Sequence, residues 1–179
     1  MASSLLYFGG ERLSEAELSA ARLDGHLVAL GDGYLAADAV ESPALRAASL
    51  RPLLGDDTAA THESAAWILG VIDTPPARHS VQRIVAVRTR YRRTDPRCVY
   101  RTTLLPESDL IRIAGVAVAS PVRTLVDLSR ENADSPAVRG ILRTFPGARE
   151  GALARLSAHI LPGKRAAIDR LGRYEEVTR

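Results

Sequence analysis

Residues 112–128 read RIAGVAVASPVRTLVDL, and the hydrophobic pattern changes once within this stretch. Ile113, Val116 and Val118 before Ser120 are apolar and β-branched, which is typical of strands, and Gly115 indicates a turn. Ser120 suits a helix N-cap, and Pro121 suits the first helical position. The apolar residues that follow have helical spacing: Val122, Leu125, Val126 and Leu128. We therefore expect a strand that runs directly into a helix packed on the sheet, a corner that organises the core.

An arginine-rich segment precedes this corner. Residues 80–91 and 98–104 predict two strands, and residues 92–96 predict the turn of a hairpin between them. Guanidinium groups bind phosphates in a forked geometry, and a two-stranded ribbon fits the major groove of DNA. We therefore predict a nucleic-acid-binding set at Arg83, Arg88, Arg90, Arg92, Arg93, Arg97 and Arg101. The alternatives are a solvated edge that discourages aggregation, or a surface that meets the acidic N-terminal region of the chain.

The first residues predict a reduced winged helix. Ser14 and Glu17 form a capping-box pattern at the start of a helix over residues 14–25. The Gly31-Asp32-Gly33 turn predicts a β-hairpin over residues 27–37. A helix followed by a hairpin is the back half of a winged helix, and only about thirteen residues stand where the front half would be.

Helical patterns surround the predicted sheet. Residues 42–54 predict one helix, and Thr61 can cap another that ends at Gly70 and carries Trp67 as a core residue. Three further helices are expected beyond the corner, over residues 135–144, 147–159 and 163–174. The predicted class is α+β: a degenerate winged-helix unit (1–41), a small mixed-sheet domain with packed helices (42–132) and a helical C-terminal tail (133–179).

The net charge of +3 conceals strong regional differences. Residues 1–82 carry five arginines and eleven acids, whereas residues 83–101 carry seven arginines and one acid. Residues 139–179 carry nine basic and four acidic residues. Any electrostatic attraction to a partner therefore belongs to particular regions of the chain. The chain also shows neither a signal peptide nor a membrane-spanning run, which favours a cytoplasmic location.

The sequence carries few signs of catalysis. It contains no P-loop, no GxGxxG after a strand, no GxSxG elbow and no cluster of metal-ligand residues, so we expect no enzyme activity, cofactor or metal. His62 is expected to bond locally at a helix start, and Arg123 is expected to pair with Asp127 four residues on. Cys98 is the single cysteine; Arg97 beside it favours a thiolate, whereas a strand position favours a small core residue.

Two segments carry a family resemblance. The segment THESAAWILGV at 61–71 resembles an H-x-(S/T)-A-A-W-x-x-G helix of actinobacterial proteins related to the AbiEi antitoxins of type IV toxin–antitoxin systems. The segment IAGVAVASPVRTLVDLS at 113–129 is similar to another segment of those proteins. Both occur in the family's order and spacing, and the resemblance covers residues 42–131.

The resemblance implies an antitoxin and transcriptional regulator. In this family a winged helix binds promoter DNA, and the C-terminal domain is linked to neutralising a nucleotidyltransferase-like toxin. Some relatives add a C-terminal nuclease-like domain, which we do not expect in this chain. The leading interpretation is a regulator that binds DNA or a partner protein without catalysis. The alternatives are a protein-interaction module that has lost DNA binding and a remnant of a nuclease-fused relative.

Overall fold

The computed structural model describes residues 5–85, 95–132 and 135–174 and has the predicted α+β fold. In chain order the described elements are β1 (Leu6–Tyr7), α1 (Glu15–Leu23), β2 (Leu27–Leu30), β3 (Gly33–Ala36), α2 (Pro43–Ser49), α3 (Arg51–Leu54), β4 (Thr58–Ala60), α4 (His62–Ile68), β5 (His79–Arg83), β6 (Cys98–Arg101), a 3₁₀ helix (Glu107–Asp109), β7 (Leu110–Ile113), β8 (Val116–Ala119), α5 (Pro121–Asn132), α6 (Pro136–Thr144), α7 (Ala148–Ala158) and α8 (Lys164–Arg173). No helix in these ranges is long and apolar enough to cross a bilayer.

The N-terminal unit is one helix and a three-stranded antiparallel sheet. The capping box at α1 is present, because Ser14 Oγ accepts from the Glu17 amide at 3.3 Å and the Glu17 carboxylate accepts from the Ser14 amide at 2.8 Å. The hairpin β2–β3 forms as predicted, and β1 adds to it in the order β1-β3-β2. A strand, a helix and a hairpin in this arrangement make a winged-helix-like unit with a single helix, as the sequence predicts.

The second sheet is mixed and has the strand order β6-β5-β4-β8-β7. Strands β4 and β8 are parallel, whereas β7 and β8 form an antiparallel hairpin through Ala114 and Gly115. Both of these turn residues have positive φ, 49° and 83°, as tight hairpin turns require. The expected corner follows β8 directly, where the amide of Arg123 donates to Ser120 Oγ at 3.2 Å.

The prediction of an arginine-rich hairpin is wrong. Strands β5 and β6 are neighbours, but they are parallel, with His79 opposite Cys98 and Gln82 opposite Arg101. Arg78 fixes the start of this pair, because its guanidinium donates to the carbonyl of Cys98 at 2.7 Å. Parallel neighbours require a crossover of about a dozen residues, and residues 84–97 provide one. Most of the predicted strand extension beyond Arg83, residues 86–91, lies outside the described residues.

The helix predicted over residues 42–54 is two helices. It breaks at Leu50, between α2 and α3. Pro52 has no amide hydrogen to donate to the carbonyl four residues earlier, and its ring crowds that carbonyl, so the helix cannot continue through it. The break leaves Ser49 close to the hairpin turn, where a Cβ on Gly31 would lie 2.2 Å from Ser49 Oγ.

Two aliphatic clusters form the core. The first lies between the two sheets and α2, and it includes Trp67, which is fully buried as predicted. The second surrounds α5, where Leu125 and Val126 pack against α6, α7 and α8. The predicted domain boundaries after residues 41 and 132 stay predictions. The C-terminal end of α5 lies beside α4 and β6, and the candidate site forms where these three elements meet.

Candidate functional site

The predicted arginine set is only partly described by the structure. Arg88, Arg90, Arg92 and Arg93 lie outside the described residues. Arg83 and Arg101 are on strands, and Arg97 immediately precedes β6. Since Gln82 is the register partner of Arg101, Arg83 projects from the opposite face of the sheet. The three described arginines therefore do not share one surface.

Arg97 forms ion pairs with two carboxylates. Its Nη2 lies 2.8 Å from Asp95 Oδ2, and its Nη1 contacts Asp32 Oδ1 in the N-terminal hairpin turn. The hydrogen bond to Asp95, together with the Asp32 charge, raises the pKa of Arg97 above its ordinary value. The acidic N-terminal unit thus neutralises one member of the predicted set.

Arg101 is also paired with a carboxylate, and it lines a polar cleft. Its Nη1 lies 2.6 Å from Glu131 Oε1 and its Nη2 lies 3.2 Å from Glu131 Oε2, a two-pronged contact with the end of α5. Its Nε is buried without an acceptor among the described residues. The cleft beside it, called here the His62 cleft, has a volume of about 170 Å³ and is lined by His62, Glu63, Ser80, Arg101, Leu128, Glu131 and Ser135.

His62 occupies this cleft in a strained backbone conformation. Its φ is 52°, a value that costs a residue other than glycine about 1 kcal/mol or more and that is frequent at functional sites. Its Nδ1 lies 3.0 Å from Thr61 Oγ1, and its Nε2 lies 3.4 Å from Glu131 Oε1. Burial lowers the pKa of His62 below 6.5, so the imidazole is neutral near pH 7. The local bond was expected, whereas the contact with Glu131 was not.

A buried ion-pair network lies at the other end of α5. Arg123 Nε lies 2.8 Å from Asp127 Oδ2, which confirms the pair predicted from sequence spacing. Arg123 also reaches Asp109 Oδ2 at 2.8 Å, and Arg155 on α7 reaches the same oxygen at 2.6 Å. Burial opposes the charge of Arg123, but the hydrogen bonds that it donates to these carboxylates leave its pKa raised. Sequence spacing gave no sign of Asp109 or Arg155, because both are distant along the chain.

Cys98 is a buried thiol. Burial raises its pKa above the ordinary value, which outweighs the neighbouring guanidinium charges, so the thiolate alternative is wrong and the core alternative holds. Within the described ranges, no group of three or more His, Cys, Asp or Glu residues is placed to hold a metal ion.

One comparison with known proteins gives a match. The model of the family described as the AbiEi antitoxin C-terminal domain matches residues 58–169, from the first residue of β4 into α8. The match covers more than half of the chain and includes the His62 cleft and the Arg123 network. No curated protein is similar enough to the chain to match it.

Proposed function

Because the chain belongs to the AbiEi antitoxin C-terminal domain family, we propose that it acts as an antitoxin through a protein contact, without catalysis and without DNA. Membership of this family supports a role as the antitoxin, or as a regulator, of a toxin–antitoxin system. The proposal adds that the chain neutralises a nucleotidyltransferase-like toxin by binding a partner protein.

The charge of the N-terminal unit supports a protein contact. Residues 5–41 contain two arginines and seven acidic residues, a net charge of −5. Sequence-independent attraction to DNA comes from lysine and arginine side chains that neutralise phosphates. An acidic helix-and-sheet unit repels the DNA backbone, whereas it attracts a basic protein surface.

The observation that carries the proposal is the pairing of two of the three described arginines of the predicted set. Arg97 is paired with Asp95 and Asp32, and Arg101 is paired with Glu131 through both terminal nitrogens. A guanidinium that already holds a carboxylate must lose that contact before it can bind a phosphate. These two arginines are therefore better suited to fixing the structure than to holding nucleic acid.

The arrangement of buried carboxylates supports a role without catalysis. Asp109 and Asp127 are 3% and 2% exposed, and each is bound by arginine side chains. Carboxylates engaged in this way hold helices together and have little freedom to exchange protons with a substrate.

Growth rescue tests the proposed function. The full chain is co-expressed with a nucleotidyltransferase-like toxin encoded beside its gene, and growth is compared with that of cells carrying the toxin alone. We expect the chain to restore growth. Failure to restore growth at equal toxin and antitoxin levels overturns the proposal.

A second candidate function is DNA binding, favoured by the density of arginine in residues 83–101 and by exposed Arg165 and Arg173 on α8. A mobility shift with promoter DNA tests it at about 50 and 200 mM salt. Binding by phosphate contacts weakens steeply over this range. A shift that disappears when Arg88, Arg90, Arg92 and Arg93 become Ala would favour DNA over a protein contact.

A further inference from the structure

We propose that the His62 cleft receives one basic side chain, an arginine or a lysine, from the protein that the chain binds. This inference rests on the proposed function and names the chemistry of the contact. Its support comes from the volume, the charge and the fixed geometry of the cleft.

The volume of the cleft limits its occupant. About 170 Å³ is well below the roughly 300–1,000 Å³ typical of sites for nucleotides and other small organic ligands. A single side-chain head group fits this space. Leu128 contributes an apolar wall, against which the methylene stem of a long basic side chain can lie.

The charge of the cleft selects a cation. Glu63 and Glu131 both border it and are exposed, and among the described lining residues the only cation is Arg101. Glu131 already balances Arg101, so the carboxylate of Glu63 remains as the net charge, and it has no ion pair within the described ranges. His62 does not offset it, because burial keeps the imidazole neutral near pH 7.

The fixed geometry of Glu131 disfavours an anion. The two terminal nitrogens of Arg101 hold the Glu131 carboxylate at 2.6 and 3.2 Å. A phosphate or a carboxylate from a partner would have to displace Glu131 to reach the terminal nitrogens of Arg101, whose remaining donor, Nε, is buried, and it would also face Glu63. A guanidinium or an ammonium group displaces nothing, since carboxylates and the hydroxyls of Ser80 and Ser135 can accept its hydrogen bonds.

Histidine NMR of the full chain tests this assignment. The probe is N-acetyl-arginine amide, and the matched probes are N-acetyl-glutamate amide and inorganic phosphate. We expect the arginine probe to move the ring signal of His62 progressively. The exposed His26 and His159 serve as internal references in the same spectrum. Movement of the His62 signal by phosphate or the glutamate probe, or no movement with arginine, overturns the assignment.

Two matched variants locate the effect. Glu63→Gln removes the unbalanced carboxylate, and we expect the His62 shift at a fixed arginine concentration to fall about threefold, as for loss of an exposed ion pair. Glu107→Gln removes an exposed carboxylate from the 3₁₀ helix, outside the cleft lining, and we expect no change. Equal shifts in wild type and Glu63→Gln contradict the proposal.

The probe assay uses the isolated chain, so its failure overturns the cleft assignment alone, and failure of growth rescue overturns the antitoxin proposal.

Discussion

At the scale of single residues, the buried histidines show how location determines chemistry. His62 and His79 are 7% and 9% exposed, and burial lowers the pKa of each below 6.5. His79 lies beside Trp67, with ring centroids 5.9 Å apart, and its Nδ1 lies 3.1 Å from Ser64 Oγ. Both side chains are therefore packed as neutral rings, and protonation opposes the folded state.

This packing predicts a pH dependence of stability. The unfolded chain binds protons to these histidines near pH 6.5, whereas the folded chain binds them only at lower pH. Their stabilising contribution is complete above about pH 6.5 and is lost as the pH falls toward the folded pKa, by about 1.4 kcal/mol for each unit of pKa lowering.

Urea unfolding at pH 7, 6 and 5 measures this effect. We expect His79→Gln to reduce the loss of unfolding free energy on acidification, compared with His26→Gln, which changes an exposed ring. Identical pH dependence in the two variants would show that burial of His79 does not control its protonation.

Sequence reasoning at this scale succeeded where the contact is local. The capping box at Ser14 and the Arg123–Asp127 pair depend on spacing within one helix, and both are present. The Glu131 contact of His62 joins residues that are far apart in the chain, so no spacing rule reveals it. The positive φ of His62 was not predicted either, because residues other than glycine seldom adopt it.

At the scale of elements, charged side chains join helices that the sequence treats separately. Asp109, which precedes β7, binds Arg123 of α5 and Arg155 of α7. Arg46 of α2 is 8% exposed and donates to the carbonyl oxygens of Trp67 and Ile72, at 2.7 and 2.8 Å, at the end of α4. In both cases a side chain from one element binds groups on another element and holds the two together.

Removing Asp109 is expected to be strongly destabilising. Asp109→Ala removes the carboxylate that Arg123 and Arg155 share, although Arg123 keeps Asp127. Breaking a buried pair costs up to about 3–5 kcal/mol. The control is Glu107→Ala, two residues earlier and exposed, which should change stability by less than about 0.5 kcal/mol. Chemical denaturation measures both, and similar losses in the two variants would contradict this role for Asp109.

Arg46→Met tests the connection between α2 and α4. Methionine retains the length of the side chain but removes the guanidinium that donates to the carbonyls of Trp67 and Ile72 and pairs with Glu41. The Trp67 carbonyl keeps the Gly70 amide at 3.0 Å, so the expected cost is about 1–3 kcal/mol. The single Trp lies under the guanidinium, 5.5 Å from its carbon, so its fluorescence reports both local change and unfolding. Arg22→Met, at an exposed position of α1, is the control. An unchanged unfolding midpoint for Arg46→Met would show that this arginine is not structural.

Among the helices and strands too, features set by local sequence were predicted, whereas pairings between distant segments were not. Residues 112–128 specify their strand and helix locally, and both formed where the pattern indicates. The parallel pairing of β5 with β6 was not predictable from the arginine pattern, because a hairpin and a crossover have the same alternation of residues. The short strands β1 and β4 were also missed, since two or three residues carry no periodic signal.

At the scale of the whole molecule, charge is separated along the chain and partly neutralised by folding. The N-terminal unit is acidic, and its Asp32 binds Arg97 at the start of the basic segment. The prediction of a common DNA-binding surface treated these arginines as free, although the fold places Arg83 and Arg101 on opposite faces and pairs Arg97 and Arg101 with acids. Binding at Arg88, Arg90, Arg92 and Arg93 stays a prediction.

Growth rescue by a variant in which Arg88, Arg90, Arg92 and Arg93 are all Ala tests the protein-contact account most directly. The variant is co-expressed with the toxin at the same level as the wild-type chain, and Trp67 fluorescence verifies that it is folded. A protein contact that does not use DNA predicts growth equal to that with the wild-type chain. Loss of rescue together with loss of a promoter-DNA mobility shift would contradict the account.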